Sequence, residues 1–148
     1  MLVIGIGNPY RGDDAVGLIV ARQVRERGHG GVTVLECTGE GTSLMEAWKG
    51  AGAVILVDAA HGGAAPGMVY RFDAHEGPIP TQFFHYSTHA FSVAEAVELS
   101  RALDQLPRQL VVYGIEGGDF AAGVGLSNEV TDAAQKVAER ILQDISDQ

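Results

Sequence analysis

The sequence predicts a three-layer α/β/α domain built on a mostly parallel sheet. Three observations carry that expectation. Short apolar or β-branched runs alternate along the chain with stretches whose apolar residues recur at helical spacing. The segment after the third strand is too short to hold a crossover helix, so one strand must turn back. The composition, 148 residues with 46% hydrophobic and 20% charged side chains, suffices for one sizeable core and excludes a disordered or fibrous chain.

The elements follow in order. Leu2 to Ile6 is a continuous apolar run, as in a strand buried on both faces. Val16, Ile19, Val20 and Val24 mark a helix to about Arg27, stopped by His29-Gly30-Gly31. Val32 to Cys37 alternates and reads as the second strand. Ser43-Leu44-Met45-Glu46 fits a capping box for a short helix ending near Lys49. Val54 to Asp58 is the clearest strand, followed by a glycine-rich loop from Ala59 to Gly67. Met68 to Asp73 is then expected as a fourth strand, antiparallel to the third. Ala74 to Thr88 is irregular, and connections of that length inside a compact domain often carry function. A second capping box, Ser92-Val93-Ala94-Glu95, opens a helix through Val93, Ala96, Val97 and Leu103. Leu110 to Ile115 is the fifth strand. A loop with Gly117, Gly118, Gly123 and Gly125 leads to a last helix marked by Val130, Ala134, Val137 and Ile141. No repeat, low-complexity tract or domain boundary interrupts residues 1–148, so one domain is expected.

Charge and composition exclude several function classes. Ten Lys and Arg against nineteen Asp and Glu leave a net charge of −9, which argues against a nucleic-acid partner held through its phosphates. The longest apolar runs are far too short to span a membrane. Met1 to Gly7 lacks the basic and long apolar regions of a signal peptide, so a soluble, cytoplasmic protein is expected. The single Cys37 rules out an internal disulfide and a cysteine-built zinc site.

Ligands of open α/β sheets sit beyond the carboxyl ends of the strands. After the first strand the chain reads Gly5-Ile6-Gly7-Asn8-Pro9-Tyr10-Arg11-Gly12-Asp13-Asp14-Ala15-Val16-Gly17. A dinucleotide fingerprint would need glycine at position 10, where Tyr10 stands, and Asp13 and Asp14 occupy the helix start that a pyrophosphate would require. One of those aspartates suffices as a helix cap, which frees the other to face the crevice. Asp58, at the end of the most apolar strand, is placed either as a second carboxylate over that crevice or as a hydrogen-bond acceptor for the loop that follows. Of five histidines, His29 and His75 read as solvated, and His61 lies in the glycine-rich loop. His85 and His89 precede the helix opened at Ser92, and His89, nearer its entrance, ranks above His85 and His61. Cys37, at a strand end, reads as a small buried side chain, and no serine sits in a nucleophile elbow. Two carboxylates and an imidazole suit a divalent metal with oxygen and nitrogen ligands, held with open positions.

These residues, in this order, resemble the hydrogenase maturation proteases. The likeness starts with Gly5 to Gly17, continues through Glu36-Cys37-Thr38-Gly39 and Val54 to Ala59, and resumes at Ser87-Thr88-His89 and Leu110 to Glu116. It implies an aspartic-type endopeptidase that removes the C-terminal extension of a nickel–iron hydrogenase large-subunit precursor after nickel insertion. It also implies a five-stranded mixed sheet of order 2-1-3-5-4 with strand 4 antiparallel. The catalytic and metal-contacting positions it implies fall on Asp14, Asp58 and His89. The first of these is often Glu in the family, one methylene longer than Asp14. The nickel is implied to arrive with the substrate, with no tightly bound cofactor in the enzyme, which is expected to act as a monomer. A peptidase with its own resident metal and a non-catalytic, metal-checking chaperone remain alternatives at this stage.

Overall fold

The structure, a computed structural model, describes residues 1–28, 30–84 and 91–147. Five strands form one sheet: β1 (Leu2–Ile6), β2 (Thr33–Cys37), β3 (Ala53–Ala60), β4 (Val69–Asp73) and β5 (Gln109–Glu116). Four α-helices accompany it: α1 (Val16–Arg27), α2 (Gly41–Trp48), α3 (Val93–Ala102) and α4 (Asn128–Ser146), with 3₁₀ turns at Gly12–Ala15 and Thr81–Phe84. The sheet order is β2-β1-β3-β5-β4. β1 pairs in parallel with β2 and β3, β3 in parallel with β5, and β4 antiparallel with β5. The fold class, the strand order and the reversed strand are those expected. β4 opposes β3 in direction, as its short connection requires, but its hydrogen bonds go to β5.

The pleat divides the core. Ile4, Val54, Leu56, Leu110 and Val112 point to one face, where Leu44 and Trp48 of α2 and Val93, Ala96 and Val97 of α3 cover them. Val3, Ile55, Val57, Tyr113 and Ile115 point to the other, under Val16, Val20 and Val24 of α1 and the apolar stripe of α4. Each fully buried Val, Leu or Ile contributes about 1.5–3 kcal/mol of transfer free energy. α1 can lie this close to the sheet because Gly17 has no side chain: a Cβ there would overlap the carbonyl oxygens of Ile6 and Val57.

Several local readings change. β3 runs to Ala60, so Ala59 and Ala60 belong to the strand and Asp58 sits two residues inside its end. α2 is capped by Glu40 and not by Ser43: the Glu40 carboxylate accepts the N–H groups of Thr42 and Ser43 at 3.0 and 2.9 Å. Those bonds hold its pKa down to about 2, the Thr42 N–H contributing most. The box at Ser92–Glu95 is present, the Glu95 carboxylate accepting the Ser92 hydroxyl at 3.1 Å. α3 ends at Ala102; Leu103 is its C-cap and is 51% exposed, and Asp104 turns left-handed with φ 56°. Among the described residues no helix is long and apolar enough to cross a membrane.

Candidate functional site

The turn between β1 and α1 separates the two neighbouring aspartates into different jobs. Neither caps α1, whose first residue follows the 3₁₀ turn directly with Ala15 at the N-cap. Asp13 is fully buried and faces away from the crevice. Its Oδ2 accepts the N–H groups of Gly118 and Asp119 at 2.8 and 2.9 Å, and its Oδ1 accepts that of Ser127 at 2.8 Å. The Ser127 hydroxyl donates to it as well. Asp13 thus fastens the loop after β5, and the N-cap of α4, to the β1–α1 turn. Burial works to raise its pKa, but the bonds from Ser127, Gly118 and Asp119 outweigh it and hold the carboxyl below its usual range.

Asp14 faces the opposite way and is half-buried. Its Oδ2 accepts the Asn8 N–H at 3.0 Å, while the Asn8 side chain accepts the Tyr10 N–H at 2.9 Å. The turn packs against the end of β1 at Gly7, where a Cβ would overlap the Asp14 carbonyl oxygen. Asp58 reaches the same space from β3. By strand alternation it shares the α2–α3 face with Leu56 and Ala60, and its Oδ1 accepts the N–H of Ala59 at 2.8 Å.

Asp14 and Asp58 line one cavity of about 390 Å³ at the carboxyl ends of β1 and β3, with Arg11, His61, Phe84 and Ser92 among its other walls. Its position satisfies the rule for open α/β sheets. Burial drives the Asp58 carboxyl well above the usual range, and the neighbouring charge of Asp14 adds to the effect against the Ala59 hydrogen bond. Asp14 is also raised, again by burial, with the Asn8 bond and the Arg11 charge opposing. Two carboxylates that resist joint ionisation in a shared cavity favour a proton or a cation between them. Among the described residues, no three of His, Cys, Asp and Glu are placed to hold a metal ion together. The structure therefore brings Asp14 and Asp58 into one site, and His89 lies outside the described residues.

Sequence reasoning ranked His61 low, yet it lines this cavity. It also passed over Glu116, a buried carboxylate at the end of β5 that accepts the Gly62 N–H at 2.8 Å and the Tyr70 hydroxyl at 2.9 Å. A histidine three residues after Asp58, just past the strand's end, was the available signal. Cys37 is half-buried and burial pushes its thiol pKa up, against thiolate chemistry. Cys37→Ser is expected to retain peptidase activity and to cost about 1 kcal/mol of stability by urea unfolding. Loss of turnover in the folded variant would contradict this.

The raised carboxyls fix a pH dependence for the metal-free protein. Between the ordinary carboxylate pKa and the raised value of Asp58, the folded protein holds a proton that the unfolded chain has released. The unfolded state then binds fewer protons, so stability falls as pH rises through that window. Asp58→Asn removes its share and should flatten the decline in urea unfolding followed across pH. An equally steep decline in the variant would contradict the assignment.

A three-layer α/β protein with a carboxylate pair in the crevice of its sheet is the class that fold and cavity define. A family model described as hydrogenase maturation protease matches residues 18–144, and the chain belongs to this family of peptidases. The HycI NiFe hydrogenase maturation protease of Thermococcus kodakarensis is 29% identical in its crystal structure, with a TM-score of 0.74 over 96% of this chain and 89% of that one. The hydrogenase maturating endopeptidase HybD of Escherichia coli shares the fold, with a TM-score of 0.82 at 21% identity over 99% of this chain and 91% of that one. Protein FrxA of Pyrococcus furiosus is 29% identical over 133 residues, 88% of this chain and 94% of its own length.

Proposed function

We propose that this chain removes the C-terminal extension of a nickel–iron hydrogenase large-subunit precursor after nickel insertion. In this reading the metal is part of the substrate, and Asp14, Asp58 and His89 accept it. The observation that carries the reading is the placement of Asp14 and Asp58 in one cavity, both with raised pKa, in a chain of the hydrogenase maturation protease family. A cation delivered to that cavity relieves the repulsion that the empty pair experiences, and it leaves coordination positions for the precursor's own ligands. Binding then depends on the precursor being metallated, which makes the cavity a check on completed insertion. The name of the Thermococcus kodakarensis relative, a NiFe hydrogenase maturation protease, accords with that substrate class. The test is incubation of the purified chain with nickel-loaded precursor, followed by intact-mass measurement. Two products whose masses sum to the precursor plus one water are expected, the smaller being the C-terminal extension. An unchanged precursor mass would refute the reading.

A further inference from the structure

We infer that His61 is the general base of the hydrolysis, taking the proton of the water that attacks the scissile carbonyl. The inference rests on the reading of the chain as a precursor-cleaving peptidase and supplies the group that activates water.

His61 follows β3 directly and lines the cavity shared by Asp14 and Asp58. Its segment is fixed on several sides. The His61 N–H donates to the Phe83 carbonyl at 2.8 Å, and the next N–H, of Gly62, donates to Glu116 Oε1 at 2.8 Å. The Tyr70 hydroxyl donates to the same Glu116 oxygen at 2.9 Å, so the anchor is itself held. The imidazole lies against Phe120, with ring centroids 4.0 Å apart and planes tilted by 33°. A base held this way loses little freedom when substrate binds.

The alternative role for an imidazole beside two carboxylates is ligation. Among the described residues, however, His61 does not complete a three-ligand cluster with Asp14 and Asp58. It lines the same cavity. Carboxylates facing a cation would be weaker bases than the imidazole, which makes the ring the better proton acceptor in this cavity. Burial lowers the pKa of His61, with the charge of Glu116 opposing, and so favours the neutral, proton-accepting ring.

The step balances as a hydrolysis. The water oxygen bonds to the carbonyl carbon as one of its protons passes to an imidazole nitrogen. The C–N bond then breaks, and the imidazolium returns that proton to the departing amine. One water is consumed, and the products are a subunit ending in a carboxyl group and a free extension with a new amino terminus.

The experiment measures kcat and KM on nickel-loaded precursor for wild type, His61→Ala, His61→Gln and His75→Ala, with folding followed by circular dichroism. His75 is the control, an exposed residue bonded to the Pro107 carbonyl. In both His61 variants kcat should fall by roughly 100-fold or more with KM little changed. Added imidazole should restore part of the His61→Ala rate, and His75→Ala should match wild type. The near-isosteric His61→Gln keeps the test valid if the alanine variant folds poorly. Wild-type kcat in a His61 variant, or a loss that imidazole does not relieve, overturns the inference while wild-type cleavage preserves the functional reading. Failure of wild type to cleave removes both.

Discussion

Asp58→Asn and Asp14→Asn are each expected to lower precursor cleavage by at least about 100-fold, since changes to groups that merely orient metal ligands already cost roughly 10–100-fold. Asparagine keeps the shape of the side chain and its hydrogen-bonding oxygen. It removes the negative charge that a substrate-borne cation would meet. Asp58 has the stronger case for a clean loss, because it is buried and its carboxylate accepts the adjacent Ala59 N–H, which an amide oxygen can still accept. The variant should therefore remain folded while cleavage disappears. Asp14→Glu should retain part of the activity, because it keeps the charge and changes reach by one methylene. Rates measured by mass spectrometry on nickel-loaded precursor check all three. Wild-type rates in either asparagine variant would remove that carboxylate from the reaction.

Asp13→Ala is expected to produce the largest loss of stability, on the order of 3 kcal/mol, because it orphans three backbone N–H groups that a buried carboxylate now accepts. For a chain of this length that corresponds to a fall in melting temperature of roughly 6–12 °C. Asp13→Asn should do little better. Both carboxylate oxygens accept N–H groups, so either orientation of the amide turns its own NH₂ toward a donor. The lowered pKa of Asp13 also fixes the acid side of the stability curve: its contribution is complete above the ordinary carboxylate range and is lost as pH falls through the lowered value. Thermal melts of wild type and both variants check this, and an unchanged melting temperature in Asp13→Ala would contradict it.

The strands and helices were legible because their signals are local. Leu2 to Ile6 and Val54 to Asp58 announce buried strands by unbroken apolar character, and the stripe from Val130 to Ile141 announces α4 by its period. The missing crossover after Asp58 announced the reversed strand. The role of each aspartate was not legible. Asp13 finds its partners 105 to 114 residues away, at Gly118, Asp119 and Ser127, and no spacing in the sequence encodes that contact. The same holds for His61, whose ring meets Phe120 and whose neighbour Gly62 meets Glu116 only once β3 and β5 lie side by side. Glu40 was missed as a cap for a different reason: Glu is uncommon there, and Ser43 offered the more usual residue type. The crevice itself was predictable from the carboxyl-end rule, which pointed to the Asp13–Asp14 pair and to Asp58, while the resemblance alone separated Asp14 from Asp13.

The central claim is that the cavity reads metal carried by the precursor. Its most direct test is to divide one precursor preparation into nickel-loaded and metal-free halves, add chelator to the metal-free half, and incubate each with the wild-type chain. Intact masses should show loss of the C-terminal extension from the nickel-loaded precursor and no change in the metal-free one. Equal cleavage of both would contradict the claim.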